Sequence, residues 1–418
     1  MRIHPRKTVS YLLLSVGGIL FLATINWKTE QLDAFDVQNG SPSDAPWWRE
    51  GSSRIGESRS PPINIWHSGT DRYSDRILAQ MAHVPTDYTP SSPMKYIFVP
   101  GGIWDTPMGQ SKFVEQRCRV DRCALTIHQP TRADAVLVQN SKDAAWMKKQ
   151  PGQIWILWLL ESPMNSIGLT WLQDNINWTA SYRADSTIVT PYEKFVPHAN
   201  VSRLPGQAMG NFADGKTKLV AWFVSNCNAG NRRLEYAREL RRYVSVDIYG
   251  SCGDHRCARG SHGKRCDTLL RKDYKFYLSF ENSNCEYYIT EKLFWNALFN
   301  DVVPIVMGGR KSDYLAAAPP HSFIHVEDFR SASQLADYLL KLDQDDRLYN
   351  QYFRWKSTGS FINTKFWCRM CAMLHDDNKP VIWFRDVERW WRRNATCTRD
   401  RWDRAADIVP SWKMSVIQ

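Results

Sequence analysis

Residues 274–292 read YKFYLSFENSNCEYYITEK and join two patterns that predict different secondary structures. The first seven residues are largely apolar and aromatic, which is typical of a buried strand. Glu281 and three small polar residues follow, and a helical pattern then begins. A plain turn at this junction needs only Gly, Asn or Pro. The carboxylates, amides, tyrosines and lysine found there therefore predict a ligand-binding junction.

Cations follow two of the predicted strands at the start of a predicted helix. The helix after residue 288 begins near Ile289 or Thr290 and carries Lys292 in its first turn, and LVAWFVSNC leads to Arg232 and Arg233. A helix amino terminus offers unpaired N–H groups and the positive end of the dipole, so a cation there favours a pyrophosphate site. Ordinary surface salt bridges of Arg233 and Lys292 remain the alternative.

The rest of the chain predicts the sheets that carry these junctions. One series of short apolar runs comprises KYIFVP, CALTIHQ, ADAVLVQN and QIWILWLLESP. A second series begins at KLVAWFVSNC and alternates with the helical segments NRRLEYARELRRY, ITEKLFWNALF and SASQLADYLLKLDQDDRLYNQYF. This alternation predicts an α/β protein with two Rossmann-like domains facing a cleft. Ligands are expected beyond the carboxyl ends of the strands.

The amino terminus predicts a membrane anchor. No charged residue occurs between Lys7 and Lys28, and about twenty helical residues span one hydrocarbon core. Arg2, Arg6 and Lys7 precede the apolar run and favour a cytosolic amino terminus. We expect an uncleaved signal-anchor, with a cleaved signal peptide as the alternative. The polar residues that follow, such as NGSPSDAPWWREGSSRIGESRSPP, predict a flexible stem.

Composition indicates the secretory pathway and an anionic ligand. Ten cysteines suit disulfides, and sequons occur at Asn177, Asn200 and Asn394. The net charge of +11 favours a phosphorylated ligand or an acidic membrane surface, with a solvated surface as the alternative. No zinc-finger, helix-turn-helix or RNP-like signature occurs, so a nucleic-acid partner is not expected.

A long segment of the chain resembles the α1,3-fucosyltransferases. YKFYLSFENSNCEYYITEKLFWNALFNDVVPIVMGG is similar to the donor-binding motif of that family. LLESP, SYRADSTIVTPY, VSNCNAGNRRLEYARELRRY and FINTKFWCRMCAMLH extend the resemblance over roughly residues 95–400. It implies a GT-B architecture, GDP-β-L-fucose as donor and inversion at the anomeric carbon. It also implies that Arg233, Tyr288, Glu291 and Lys292 contact GDP-fucose and that Glu281 and Asn282 line the same pocket.

Glu161 is the expected catalytic base. Inversion needs one group that removes the proton of the acceptor hydroxyl. Glu161 ends the apolar strand WILWLLESP, and the base of the family lies in a matching E-S-P segment. The alternative is a strand-terminal Glu that is hydrogen-bonded to a nearby turn.

We expect no metal site, and we expect the cysteines to form structural disulfides. The pairs Asp345-Asp346 and Asp376-Asp377 are interpreted as solvated, so we expect no metal and no obligatory cofactor, with stimulation by Mn²⁺ left open. Cys368 and Cys371 form a CxxC that could be half a zinc site or a redox pair, but lumenal disulfides are favoured. By resemblance their partners are Cys118 and Cys123, in a pairing that the sequence leaves open.

The expected organisation follows from these assignments. The ranges are a cytosolic tail (1–8), a transmembrane signal-anchor (9–27), a flexible stem (28–92), an acceptor-side domain (93–213), a GDP-fucose-binding domain (214–375) and a carboxyl-terminal segment (376–418). The segments SNCNAGNRR and FINTKFWCRMCAMLHDD are most similar to core-type members. We expect a single-pass type II protein of the Golgi membrane that fucosylates O3 of the Asn-linked GlcNAc of N-glycoproteins. A Lewis-type enzyme and a catalytically silent glycan-binding protein are the alternatives.

Overall fold

The computed structural model describes residues 64–66, 75–103, 106–139, 146–199, 210–257 and 263–401. The predicted tail (1–8), the predicted span (9–27) and the sequon at Asn200 lie outside them. In the described ranges, none of the helices has the length and apolar character needed to cross a bilayer.

The chain folds as two α/β units built on parallel sheets, as predicted. The strands are β1 Lys95–Phe98, β2 Cys123–Thr126, β3 Ala135–Val138, β4 Ile154–Leu159, β5 Trp178–Ser181, β6 Ile188–Val189, β7 Lys194–Pro197, β8 Lys218–Phe223, β9 Val246–Tyr249, β10 Tyr274–Phe280, β11 Asn284–Cys285, β12 Val303–Met307, β13 Ile324–His325, β14 Gly359–Ile362 and β15 Cys397–Thr398. The helices are α1 Ile77–Ala82, α2 Ser111–Glu115, α3 Arg233–Leu240, α4 Gly263–Asp273, α5 Glu291–Phe294, α6 Lys311–Ala317, α7 Ala332–Gln344, α8 Asp346–Asn350, α9 Phe366–His375 and α10 Val387–Trp391.

The two units are interleaved along the chain. Unit 1 contains the described residues up to Leu159, with Ile167–Thr190 and Asn363–Glu388. Unit 2 contains Leu160–Ser166, Pro191–Ile362 and the described residues from Arg389 onward. The domain ranges predicted from the sequence are contiguous, whereas these units exchange segments. Glu161, predicted within the acceptor-side range, consequently packs as part of unit 2.

Unit 1 is built on a six-stranded parallel sheet in the order β2-β1-β3-β4-β5-β6. Its central strand β3 is buried at every position, and β4 is buried except at its first residue, as the continuous apolar runs predict. Helix α9 is tied to this unit by the disulfides Cys118–Cys368 and Cys123–Cys371. The CxxC of the sequence is therefore neither an internal disulfide nor half of a zinc site.

The predicted flexible stem, residues 28–92, needs correction at its carboxyl-terminal end. Helix α1 lies within that range, and its Ile77 and Gln80 are buried in unit 1. Gln80 donates hydrogen bonds to the carbonyl oxygens of Ile65 and Thr187, at 2.8 and 2.9 Å. Because this short apolar segment has partners far along the chain, local composition did not reveal that it is ordered.

Unit 2 is built on a five-stranded parallel sheet in the order β13-β12-β10-β8-β9. Residues of α3 and α7 form the main core with one face of the sheet, and Leu270 of α4 packs with Tyr274 and Tyr277 on other positions of β10. The antiparallel pairs β7–β14 and β11–β15 complete the unit. Its disulfides are Cys227–Cys252, Cys257–Cys266 and Cys285–Cys397.

Two predicted helices are shorter than the apolar pattern suggests. The segment ITEKLFWNALF is α-helical only over α5, followed by a 3₁₀ turn at Leu298–Asn300. The helical pattern SASQLADYLLKLDQDDRLYNQYF breaks at Asp345, where the backbone is extended. The Asp345 carboxylate caps α8 by accepting from the N–H of Leu348 at 3.0 Å. Capping by Asp competes with continuing a helix, which accounts for the break.

Candidate active site

Glu281 lies directly beyond the carboxyl end of β10, the central strand of unit 2. Its carboxylate is 1% exposed and accepts hydrogen bonds from the N–H of Thr290 at 2.8 Å and from the Thr290 hydroxyl at 2.9 Å. Lys292 Nζ lies 2.8 Å from Glu281 Oε2. Burial raises the pKa of Glu281, and the charge of Lys292 opposes that rise.

Lys292 bridges two carboxylates. Its Nζ lies 2.8 Å from Glu281 and 3.1 Å from Glu291, and it donates to the Thr290 hydroxyl at 2.7 Å. Burial alone would lower the pKa of Lys292, but the two carboxylates outweigh it and the net direction is upward. Lys292 therefore stays charged, and its orientation is set before any ligand arrives. Helix α5 has only four residues, so its dipole adds little to this charge.

Arg233 is the first residue of α3 and is 4% exposed. Its guanidinium donates to the carbonyl oxygens of Phe280 at 2.7 Å and Asn226 at 3.1 Å, at the ends of two neighbouring strands. It lies over the ring of Trp222, 5.6 Å from the centroid. Burial lowers the pKa of Arg233, and the charge of Glu281 opposes this. Arg233 is buried and Lys292 is only 16% exposed, so neither residue forms the exposed surface salt bridge that the alternative interpretation assumed.

Glu161 directly follows Leu160 in the segment of unit 2 that succeeds β4. Its Oε1 accepts from the Tyr288 hydroxyl at 2.7 Å, the Ser162 N–H at 2.7 Å and the Asn282 amide at 3.3 Å. Burial and the carboxylates of Glu161 and Glu281 raise the pKa of Tyr288 well above its ordinary value. Tyr288 is thus a neutral donor that orients Glu161. The structure brings all seven predicted site residues together in unit 2.

Several residues of this region escaped the sequence analysis. Asn231, 4% exposed, donates to the Glu281 carbonyl oxygen at 3.0 Å and to Asn284 Oδ1 at 2.9 Å. The hydroxyls of Ser162 and Ser283 lie 3.0 Å apart, which joins the Glu161 segment to the loop after β10. Thr290 precedes α5 but makes no capping bond with its side chain, because its hydroxyl serves Glu281. Among these residues, the sequence could have pointed only to Thr290, because it is a Thr at the start of a predicted helix.

Four buried polar atoms at this site have no hydrogen-bond partner in the part of the chain that the structure describes. They are Arg233 Nε, Asn231 Oδ1, Asn282 Oδ1 and Glu291 Oε2. Buried polar atoms are nearly always hydrogen-bonded in folded proteins, so such a group requires an explanation. One donor and three acceptors match a ligand that carries both hydroxyl groups and anionic oxygens. The arrangement therefore suits a glycosyl phosphate.

Neither acidic pair forms a metal cluster with other ligating side chains. Asp346 lies 3.6 Å from Lys275, and Asp376 accepts from the N–H of Asn378 at 2.9 Å. Across the described ranges, the cluster with metal-ligand spacing is Cys123, Cys371 and His375, and its two sulfurs form a disulfide.

The two sequons that lie in the described residues differ in accessibility. The Asn177 amide donates to the Ile382 carbonyl oxygen at 2.9 Å and accepts from Lys149 at 2.7 Å. Asn394 is exposed, in a turn before β15. Attachment at Asn177 would cost these hydrogen bonds, whereas attachment at Asn394 would not disturb the fold.

Comparison with known proteins gives matches over both units. A profile described as "Glycosyltransferase family 10 (fucosyltransferase) C-term" matches residues 213–390, and one described as "Fucosyltransferase, N-terminal" matches residues 102–193. Glycoprotein 3-alpha-L-fucosyltransferase A from Drosophila melanogaster is 45% identical over 362 residues, which cover 84% of this chain and 71% of the relative.

Two further matches are more distant. The 3-galactosyl-N-acetylglucosaminide 4-alpha-L-fucosyltransferase FUT3 from Bos taurus is 35% identical over 343 residues, covering 78% of this chain and 87% of the relative. A solved α1,3-fucosyltransferase, crystallised with GDP, matches with a TM-score of 0.47 at 17% identity, over 73% of this chain and 98% of that one.

Proposed function

This chain belongs to the glycosyltransferase family 10 fucosyltransferases and is an α1,3-fucosyltransferase, and from that premise we propose that it transfers L-fucose from GDP-β-L-fucose to O3 of the Asn-linked core GlcNAc of N-glycans. The observation that carries the donor assignment is the set of unpartnered buried atoms beside two cations. These atoms lack a partner in the described residues. In this proposal Arg233 Nε donates to a phosphate oxygen of GDP-fucose, while Asn282 Oδ1 and Glu291 Oε2 accept from sugar hydroxyls.

The residues of unit 2 supply each step of the proposed reaction. Glu161 takes the proton from the acceptor hydroxyl as that oxygen bonds to the anomeric carbon. The bond between the anomeric carbon and the β-phosphate oxygen breaks from the opposite side, so the β-linked donor gives an α-linked product. The electron pair leaves with GDP, whose growing negative charge is stabilised by Arg233 and Lys292.

Tyr288 and Asn282 join the base to the donor pocket in this scheme. Both donate to the same oxygen of Glu161, and both lie on the loop that follows Glu281. The base therefore has a fixed orientation relative to the residues proposed to hold fucose. Such positioning reduces the entropy that must be lost in reaching the transition state.

The proposal of a core acceptor is supported by the higher identity of the chain to one of two relatives. The Drosophila relative, named as a glycoprotein fucosyltransferase, is 45% identical, against 35% for FUT3. A Lewis-type acceptor, the GlcNAc of a lactosamine antenna, is the second candidate, because FUT3 also matches most of the chain. Acceptor choice depends on loops, which vary among proteins of one fold.

The remaining expectations belong to the same proposal. The two units adopt the GT-B architecture, and the protein is a single-pass type II protein of the Golgi membrane with a lumenal catalytic region. Its partners are GDP-fucose and N-glycoprotein acceptors. No cofactor is required, because Arg233 and Lys292 already supply two positive charges at the site.

The test offers GDP-fucose with two acceptors in separate reactions. One is an N-glycopeptide with terminal GlcNAc on its arms, and the other is free lactosamine. The core assignment predicts fucose on the innermost GlcNAc, located by mass spectrometry after stepwise glycosidase digestion. Fucose on lactosamine alone overturns the core assignment in favour of the Lewis type, and GDP binding without transfer to either acceptor indicates a silent glycan-binding protein.

A further inference from the structure

Residues 393–401 form a segment, here called the C-terminal strap, that crosses the loop after β10. The strap lies just beyond residue 390, where the family profile ends. Strand β15 of the strap pairs antiparallel with β11, and the disulfide Cys285–Cys397 joins the two strands at the same register. The loop that carries Asn282 and Tyr288 is therefore covalently tied to a segment more than 100 residues away.

Charged and polar contacts extend this attachment. The Glu286 carboxylate, 13% exposed, lies between Arg310 at 2.8 Å and Arg393 at 3.0 Å. The Glu286 N–H also donates to the Thr396 carbonyl oxygen at 2.8 Å, and Asn284 donates to the Asp400 carbonyl oxygen at 3.1 Å. The strap thus holds three successive loop residues through backbone, side-chain and covalent bonds.

The end of the strap is fixed in turn to the sheet of unit 2. Arg401 donates to the carbonyl oxygens of Glu327 at 3.2 Å and Phe329 at 3.1 Å, in the segment that follows β13. The strap therefore has an attachment outside the loop, so it can transmit a restraint rather than move with the loop.

The restrained loop contains a residue in an unfavourable backbone conformation. Tyr287 has a φ of 59°, in the left-handed region that bulky residues seldom adopt. Its N–H donates to Asp313 Oδ2 at 2.8 Å. Such a conformation persists only where the surroundings impose it. Its neighbour Tyr288 is the residue that donates to Glu161.

We propose that the C-terminal strap is a positioning element for fucosyl transfer, which imposes the conformation of residues 284–287 and so presents the Tyr288 hydroxyl to Glu161. This inference rests on the proposed function for its catalytic consequence. The strap acts, in this proposal, without contacting donor or acceptor. Its effect on turnover passes through Tyr288, and its loss lowers kcat more than it raises KM for GDP-fucose.

The test is a double-mutant cycle between the strap and Tyr288. The variant Cys285→Ser/Cys397→Ser removes the disulfide without leaving a free thiol, and Arg393→Ala is a milder second variant. The matched control is Cys257→Ser/Cys266→Ser, which removes another disulfide of unit 2. We expect the disulfide variant to lose kcat at least tenfold in the wild-type background and less than twofold in a Tyr288→Phe background, and the control to lose less than twofold.

Equal losses of kcat in both backgrounds, or losses matched by the control, overturn the proposal. Hydrogen exchange of residues 284–290 gives a second readout that does not require activity. Faster exchange there in both strap variants than in the control supports the restraint, and unchanged exchange overturns it. If the wild-type protein transfers no fucose, the proposed function fails while the exchange measurement still decides whether the strap fixes the loop.

Discussion

Arg369 of unit 1 and Arg233 of unit 2 are both buried, but their hydrogen bonds are satisfied differently. Arg369 of unit 1 is fully buried, and burial lowers its pKa to about 9. Its three nitrogens donate to the Thr364 carbonyl oxygen, Gln80 Oε1 and the Val189 carbonyl oxygen, at 2.7 to 3.0 Å. Arg233 of unit 2 is also buried, at 4% exposure, yet its Nε has no partner in the described residues.

The difference teaches how to recognise a site among buried charges. A charge whose hydrogen bonds are complete within the protein stabilises the fold and has nothing left to offer a ligand. A buried cluster with unused donors and acceptors is incomplete without a ligand. By this criterion Arg369 is structural, while Arg233, Asn282 and Glu291 fit the proposed donor site.

Replacing Glu161 is expected to have the largest effect. Glu161→Gln keeps the size of the side chain but cannot take the acceptor proton. A general base contributes about 10²- to 10⁴-fold to the rate, so kcat should fall by that factor while GDP binding is retained. Steady-state turnover and calorimetric titration with GDP measure the two quantities. Glu235→Gln, on the exposed side of α3, is the control, and a loss below tenfold for Glu161→Gln excludes it as the base.

Lys292→Met tests whether the bridging lysine binds the donor or only stabilises the fold. A hydrogen bond to a charged group contributes about 1.5–3 kcal/mol, so GDP affinity should fall about tenfold or more. Because this change leaves Glu281 buried without its cation, the double variant Lys292→Met/Glu281→Gln should recover stability but not affinity. Recovery of GDP affinity in the double variant would assign Lys292 a structural role.

Arg369→Met provides the matching test in unit 1. It removes three hydrogen bonds and leaves buried acceptors unpaired, so thermal stability should fall. GDP affinity measured below the unfolding temperature should stay within about twofold of wild type. A selective loss of GDP affinity without a fall in stability would break the distinction between the two regions.

Gly308→Ala examines the packing behind Glu281. Gly308 has a φ of +148°, and a Cβ there would lie 2.6 Å from Glu281 Cβ. Overpacking of this kind costs about 1–3 kcal/mol, and the displaced carboxylate should also weaken GDP binding. Gly215→Ala is the control, because its φ of +74° is strained too but no atom lies within 4 Å of the added Cβ. Equal effects of the two changes on GDP binding would contradict this role.

Acidification is expected to change the stability of unit 2 rather than its affinity for GDP. Burial lowers the pKa of His325 to about 4, so only the unfolded chain takes up a proton between pH 6.5 and 4. Acid therefore favours unfolding through this residue, by up to about 3 kcal/mol. Burial raises the pKa of Asp313 to about 6, so acid stabilises the folded protein through this carboxyl and opposes the effect of His325. The measured quantity is thus the stability of wild type relative to His325→Asn at pH 6.5 and at pH 4.

The stability of wild type relative to His325→Asn should decrease as the pH falls from 6.5 to 4. His128→Asn, which replaces an exposed histidine, is the matched control. A difference that stays constant over this range would show that His325 is not held neutral in the folded protein.

The sequence predicted the sheets because they depend on local pattern, whereas the donor role of the site residues came from the resemblance and stays a prediction. β3, β4 and β10 are largely apolar runs, and Arg233 and Lys292 lie at the starts of the helices α3 and α5 that follow β8 and β10 in the chain. The sequence did not predict that Glu161 packs with unit 2, because that depends on contacts with residues more than 100 positions away. The disulfides Cys227–Cys252, Cys257–Cys266 and Cys285–Cys397 were not predicted, since pairing among ten cysteines leaves no local trace.

Hydrogen exchange of the wild-type protein with and without GDP tests the central claim most directly, because it reports on both regions at once. The account predicts that GDP slows exchange in residues 225–240 and 280–293, which contain Arg233 and the Glu281–Lys292 cluster. Residues 364–376 around Arg369 should exchange at the same rate in both samples. Protection confined to residues 364–376, or no GDP-dependent change in residues 225–240 and 280–293 at saturating GDP, would contradict the assignment of the donor site to unit 2.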